Sequence, residues 1–303
     1  MPIVMGANNY GKSEVRLVKV TREPGAHVLR DLTVDVALSG DFEAAHVGGD
    51  NEGLMATDTM RNTVYALARH HPLEDVEEFG LALVDHFLAA GPRNTGVRVH
   101  LVEHPWERLV LGGEPHEHAF QRGSGGNRVA TVSGSGDERS IESGIDDLLV
   151  LKTTASGWEG FHRDQYTSLA ETDERILATM VTARWSYGDS DADFGATWRG
   201  VRDTILTAFA GHYSHSVQET LYKMGEAVLE AYPAIERIHF SLPNKHHLLY
   251  DLDRFGLDNP HAIFHATTEP YGLIEGTIER TRQPSPEANG GVAAEATDLP
   301  RAS

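Results

Sequence analysis

Leu32-Thr33-Val34-Asp35-Val36-Ala37-Leu38 alternates large apolar residues with small or polar ones at a period of two. That is the pattern of a strand with one face in a core and the other turned outward. The β-branched run from Glu14 to Val20 precedes it and reads as its hairpin partner. Downstream the period lengthens. Thr57 and Asp58 offer caps for a helix reaching about Ala68. After Pro72, the residues Val76, Phe79, Leu83, Val84 and Phe87 fall on one helical face, which Gly91 and Pro92 close. Val97, Val99 and Leu101 return to alternation, and Arg128 to Val132 follows the loop Gly123 to Asn127 as a further strand. The first half therefore reads ββααββ.

The same order recurs in the second half. Leu148 to Thr153 and Ile176 to Arg184 read as strands, Trp198, Val201, Ile205 and Phe209 mark one helix, and Val217, Leu221, Met224 and Val228 mark the next. Ile238, Phe240 and Leu242 alternate with polar neighbours, and Leu273 to Ile278 supplies a last strand. The predicted fold class is α+β. It comprises two tandem ββααββ units, residues 1–140 and 141–283, with antiparallel sheets carrying helices on one face. Residues 284–303 are rich in Pro, Gly, Ala and Glu with few large apolar groups, so they cannot offset their ordering entropy and are expected to be disordered.

Composition removes whole classes of function. Lysine and arginine total 26 against 45 acidic residues, a formal charge of -19, which repels a phosphate backbone and an anionic membrane surface. Nucleic acid and membrane are not expected partners. With no cysteine, disulfides, thiolate metal sites and a thiol nucleophile are excluded. No apolar run has the length of a membrane span, and the first ten residues lack the basic and apolar segments of a signal peptide. Arg301-Ala302-Ser303 is not the Ser-Lys-Leu peroxisomal address, so a cytoplasmic location is expected.

Three motifs are weaker than they look. Gly6, Gly11, Lys12 and Ser13 satisfy G-x-x-x-x-G-K-[ST], but that loop grips phosphate only between a strand and a helix N-terminus, and Glu14 to Val20 is strand-like. Among seventeen histidines, the pairs His100/His104, His116/His118, His246/His247 and His261/His265 invite a metal. None forms H-E-x-x-H, and no cysteine can complete a tetrahedral set, so no metal is expected. Asp189, Asp191 and Asp193 open like a calcium loop, yet Gly195 falls one residue late and Gly200 stands where glutamate is needed, so they read as helix-capping acids.

Six other segments act together. They are Asn9-Tyr10-Gly11-Lys12; Ala56-Thr57-Asp58-Thr59 with Asn62-Thr63-Val64-Tyr65; His116-Glu117-His118-Ala119-Phe120; Phe161 to Thr167; Leu242-Pro243-Asn244-Lys245-His246; and Tyr271-Gly272-Leu273-Ile274-Glu275. In that order, from about Tyr10 to Arg280, they resemble the urate oxidase (uricase) family. The resemblance implies the tunnelling fold (T-fold) of two ββααββ units, closed into a barrel by subunit pairing and stacked as a homotetramer with active sites at subunit interfaces. It implies oxidation of urate by molecular oxygen to 5-hydroxyisourate and hydrogen peroxide, without metal or organic cofactor.

By match to the family, Lys12 and Thr57 form a proton relay assisted by His246, and Asn244 with Thr57 holds oxygen or water above the ring. Such an arrangement suits the chemistry, because urate must lose a proton before it donates electrons. Arg175 and Gln218 correspond to the pair gripping opposite edges of the purine, while Val217 and Asp58 contribute backbone groups. Trp158 stands three residues before Phe161, where the family usually has a stacking phenylalanine, and Arg61 stands where lysine is common. Taken singly, Lys12 reads as a solvated charge, His246 as a satisfied core histidine, Arg175 as a surface ion pair and Gln218 as an exposed helix residue. The alternative reading is a non-catalytic or differently specific purine or pterin binder on the same fold. Retention of Lys12, Thr57 and His246 together argues against it, since a binder needs no relay.

Overall fold

The alternating stretch lies in β2 (Ala26–Gly40), which pairs antiparallel with β1 (Tyr10–Glu23), Leu17 opposite Leu32 and Val15 opposite Val34. A computed structural model of the chain describes residues 3–188 and 192–281. Leu32, Val34, Val36 and Leu38 are buried, whereas Thr33, Asp35, Ala37 and Ser39 remain partly accessible. A short helix α1 (Glu43–Gly48) precedes α2 (Thr57–His70) and α3 (Val76–Ala90). All five apolar residues placed on the α3 face are buried, with Phe79 and Phe87 fully enclosed. Truncating such a ring in a closed core costs about 3–5 kcal/mol.

β3 (Asn94–Glu103) returns to the sheet beside β2, and a two-stranded excursion, β4 (Trp106–Leu111) with β5 (Glu114–Arg122), intervenes before β6 (Asn127–Ser135). The second half runs β7 (Glu138–Lys152), β8 (Leu177–Tyr187), α4 (Phe194–Ala210), α5 (Val217–Ala231), β9 (Ile235–Pro243), a small pair β10 (His247–Leu249) with β11 (Phe264–Ala266), and β12 (Leu273–Glu279). One antiparallel sheet of eight strands carries both halves, in the order β1-β2-β3-β6-β7-β8-β9-β12. It remains open within one chain, with β1 and β12 as its edges. The helices cover the face that bears the buried residues. α2 and α3 close one core with Leu32, Val34, Val99 and Val132, and α4 and α5 close a second with Val181, Trp185, Ile238 and Phe240.

The structure amends the expected pattern in three places. The simple ββααββ order is interrupted by α1, by the β4–β5 hairpin and by the β10–β11 pair, all short or polar segments whose periodicity is too brief to register. Thr57 and Asp58 do not cap α2. Ala56 occupies the cap position without a side-chain bond and Thr57 is the first helical residue, which leaves both side chains exposed. The boundary drawn between residues 140 and 141 falls inside β7, because that strand begins at Glu138 and pairs continuously with β6. Asp193 does cap α4, accepting from the Ala196 amide at 2.8 Å. Asp189, Asp191 and the tail 284–303 lie outside the described residues. No helix among the described residues is long and apolar enough to cross a membrane.

Each half opens with a bulged strand. In β1, Ser13 and Glu14 stand against Asp35 alone, and in β7, Asp146 and Asp147 stand against Thr182 alone. Glu14 and Asp147 both take a left-handed φ of 57° there. Bulges of this type bend a strand and re-aim its neighbours. The Glu14 amide is satisfied by the Asp35 carboxylate at 2.6 Å. Gly11 is required just before the first bulge, since a Cβ at that position would stand 1.8 Å from the Val36 carbonyl oxygen.

Candidate active site

Lys12 immediately precedes the β1 bulge, paired in register with Val36. The residue is half-buried, and its ammonium has no hydrogen-bond or ion-pair partner among the described residues. The Tyr10 hydroxyl accepts a bond from the Met55 amide at 2.9 Å, and the Tyr65 hydroxyl on α2 donates to the Arg16 carbonyl at 2.9 Å. These two bonds tie α2 and the residue two before it to β1, the strand that carries Lys12. Asp58 is ion-paired with Arg61 at 2.5 Å and accepts from the Asn62 side-chain nitrogen at 3.0 Å. The phosphate-loop reading of Gly6 to Ser13 fails here, because Gly11, Lys12 and Ser13 lie inside a strand and no helix N-terminus follows them.

The remaining candidates line one cleft of about 880 Å³ in the second half: Trp158, Arg175, Val217, Gln218, Asn244 and His246. They reach it from the strand ends and from the start of α5. Trp158 follows β7, and its amide and carbonyl exchange bonds with Thr172 at 2.7 and 3.1 Å, which closes the base of the intervening loop. Its ring stacks on Phe161 with centroids 5.7 Å apart and planes within 10°.

Arg175 enters just before β8. Its Cζ lies 5.9 Å from the Trp158 ring centroid, within cation-π range, and its Nε donates to the Ser156 hydroxyl at 3.2 Å. Nη2 is shut off from solvent and has no hydrogen-bond partner among the described residues. Burial pulls the Arg175 pKa below its ordinary value, with the Tyr213 hydroxyl opposing in part. The surface ion pair expected of a lone arginine is absent here. A withheld guanidinium donor of this kind is costly unless a negative or carbonyl-rich guest completes it.

Val217 and Gln218 open α5, whose cap Ser216 accepts from the Glu219 amide at 3.0 Å while Glu219 reaches back to the His215 amide at 2.9 Å. The first turn of a helix leaves backbone N–H groups free and carries a partial positive charge. Val217 is buried and Gln218 exposed. Across the cleft, Asn244 and His246 sit on backbone fixed from several sides. The Asn244 amide donates to the Gly272 carbonyl at 2.8 Å, the Lys245 amide to Ala178 at 2.8 Å, and the Thr267 amide to His246 at 2.9 Å. The Asn244 side-chain nitrogen stands 3.5 Å from His246 Nδ1, a long contact that leaves both groups free for a guest. His246 is therefore a cleft residue and not a core histidine.

Lys12, Thr57 and Asp58 do not line this cleft. Six strand intervals separate β1 from β9 in the sheet, which at about 4.8 Å each is about 29 Å along the sheet. Within one chain the two groups stay apart. Several lining residues carried no sequence signal, among them Leu169 and Phe264. They lie in irregular or very short segments where periodicity has nothing to repeat. No group of three or more His, Asp or Glu side chains able to hold a metal occurs among the described residues.

An indole face, a guanidinium with an unmet donor and the positive end of a helix all favour the same guest, one that is planar, aromatic and negatively charged. The fold and the cleft together define a binder of flat anionic heterocycles on an antiparallel α+β scaffold. The sequence model of the uricase family matches residues 8–133 and 141–275. The chain is 50% identical over 278 residues to the uricase of Arthrobacter globiformis, spanning 92% of this chain and 90% of that protein. It is 42% identical over 277 residues to the uricase of Dictyostelium discoideum, spanning 90% and 96% respectively. The crystal structure of uricase from Arthrobacter globiformis is similar with a TM-score of 0.89 at 49% identity, over 94% of this chain and 99% of that one. The chain belongs to the uricase family.

Proposed function

We propose that this protein oxidises urate: urate, O2 and water give 5-hydroxyisourate and hydrogen peroxide, with two electrons passing from the purine to oxygen and water adding to the ring. The observation that carries the reading is the convergence of Trp158, Arg175, Gln218, Asn244 and His246 on one cleft, with the Arg175 guanidinium beside the Trp158 ring. Urate lies on Trp158, Arg175 and Gln218 grip opposite edges, and the backbone of Val217 and Asp58 supplies further in-plane bonds. Lys12 and Thr57 accept and relay the proton, His246 assists, and Asn244 with Thr57 holds oxygen or water over the ring. The reaction uses no metal or organic cofactor.

The site is shared between copies of the chain. Lys12, Thr57 and Asp58 lie about six strands from the cleft they serve, and the open edges β1 and β12 are unpaired backbone that a second copy satisfies. Two tandem T-fold units, meeting at the turn between β6 and β7, then close a barrel by pairing, and two barrels stack as a homotetramer. The matching bulges at Glu14 and Asp147 support the duplication. The test is disappearance of urate's ultraviolet absorbance with stoichiometric oxygen uptake, before and after exhaustive chelation. Full activity after chelation is expected, whereas activity abolished by chelation and restored by one metal overturns the cofactor-free mechanism.

A further inference from the structure

The residue that holds Arg175 is not among those assigned above. Ser156 is fully buried at 0% exposure. Its hydroxyl accepts from Arg175 Nε at 3.2 Å, and its carbonyl accepts from the Arg175 amide at 2.8 Å. Ser156 and Trp158 are two positions apart in an extended segment, so their side chains leave it on the same side. The Arg175 guanidinium is in reach of both, tied to the hydroxyl through Nε and standing 5.9 Å from the indole centroid.

The segment carrying the serine is itself held firmly. The Gly157 amide donates to the Ser214 carbonyl at 2.8 Å, and the Ser214 amide to Ala155 at 2.9 Å. A Cβ on Gly157 would meet the Tyr213 hydroxyl at 2.4 Å and the Thr172 carbonyl at 3.0 Å, so only glycine lets the chain pass there. The Tyr213 hydroxyl in turn donates to the Asp173 carbonyl at 2.5 Å, two residues before Arg175. Serine and arginine are thus fixed in backbone, and among the described residues the Nε bond is the side-chain hydrogen bond that orients the guanidinium plane. A guanidinium is flat, so fixing the Nε–H direction fixes where its Nη groups point.

We propose that Ser156 is a positioning residue for substrate binding: its hydroxyl anchors Nε and thereby presents the Nη donors of Arg175 to the carbonyl edge of urate. The proposal rests on the urate reading of the site. Removing the hydroxyl leaves Nε–H buried without an acceptor, and the fork turns away from the ring plane to recover one.

The experiment titrates xanthine, a dioxopurine, against the full-length protein and measures urate turnover in parallel. Ser156→Ala is expected to weaken xanthine binding and raise KM for urate by about tenfold, with kcat within about twofold and the shape of the pH profile unchanged. Ser156→Cys keeps the volume with a weak acceptor and is expected to behave alike; its folding is checked by assembly mass. In an Arg175→Lys background, which has no Nε–H, Ser156→Ala is expected to cost nothing further. Equal losses in both backgrounds mean that Ser156 acts through packing and overturn the proposal, as does wild-type affinity in a folded Ser156→Cys protein. If the wild type neither binds xanthine nor consumes urate, the urate reading falls and the proposal with it. If it does both while the serine variants match it, the positioning role alone falls.

Discussion

Glu77, in the first turn of α3, and Arg128, on β6, form an ion pair almost wholly withdrawn from water, with side chains 0% and 7% exposed. Both residues belong to the first half, and hydrogen bonds from Glu77 carry the cluster on into the second. Ser143 on β7 donates to Glu77 at 2.5 Å, the Tyr187 hydroxyl on β8 donates to Ser143 at 3.1 Å, and the Arg128 nitrogen that meets Glu77 also reaches Asp75 at 2.8 Å. Burial pushes the Glu77 carboxyl above its ordinary value, against the opposing pull of Arg128 and Ser143. A carboxyl raised in the folded state contributes stability that is present below its unfolded pKa and lost as pH rises through its folded pKa.

Arg128→Met therefore leaves a buried carboxyl with Ser143 as its remaining side-chain partner, and breaking such a pair costs about 3–5 kcal/mol. The folded pKa of Glu77 rises further in the variant, so the deficit is expected to be smaller at pH 5 than at pH 8. Denaturant unfolding at both pH values checks this. A deficit that grows toward acid contradicts it.

Lys12→Met is expected to lower kcat by about a hundredfold or more while changing urate affinity little, because a general base acts in the transition state. Steady-state kinetics with xanthine titration separates the two. If both constants stay near wild type, Lys12 is an ordinary lysine on an edge strand.

Mixing two inactive proteins tests the shared site directly. Lys12→Met is defective in the first half and Arg175→Ala in the second-half cleft, so hybrids formed by joint refolding contain some sites with both wild-type residues. Activity well above either parent is expected, and dilution to monomers is expected to abolish it. No recovery in hybrids of confirmed mixed mass, or a fully active monomer, contradicts shared sites.

Arg175→Lys keeps the charge and loses the fork, and Gln218→Leu leaves one polar edge of the ring unpaired. Each is expected to raise KM by about tenfold or more, on the order of 1.5 to 3 kcal/mol for a charge-assisted bond. Unchanged xanthine affinity in both single variants places the site elsewhere.

Much of the scaffold was readable residue by residue, because burial repeats at the period of the element. The alternation from Leu32 to Leu38, the α3 face from Val76 to Phe87 and the α5 face from Val217 to Val228 all lie buried as that rule requires. Thr57 was misjudged as a cap for a related reason, since residue type marks a helix start only to within a position or two. Glu77 gave no hint of burial, as an acid in a first helical turn ordinarily faces water beside the positive helix end.

The sequence by itself determined the element order, the faces that enter the cores and the membership of segments from Tyr10 to Glu275 in one family, since local periodicity and ordered motifs are properties of the chain. Only the tertiary structure decided that Arg175 lies by Trp158, tethered to Ser156 with Nη2 shut off from solvent, and that Glu77 meets Arg128 in its own half and Ser143 in the other. It alone also places Lys12 some six strands from His246. Those relations join residues 17 to more than 200 positions apart. Their partners are chosen by strand order and bulge geometry, which no local pattern encodes.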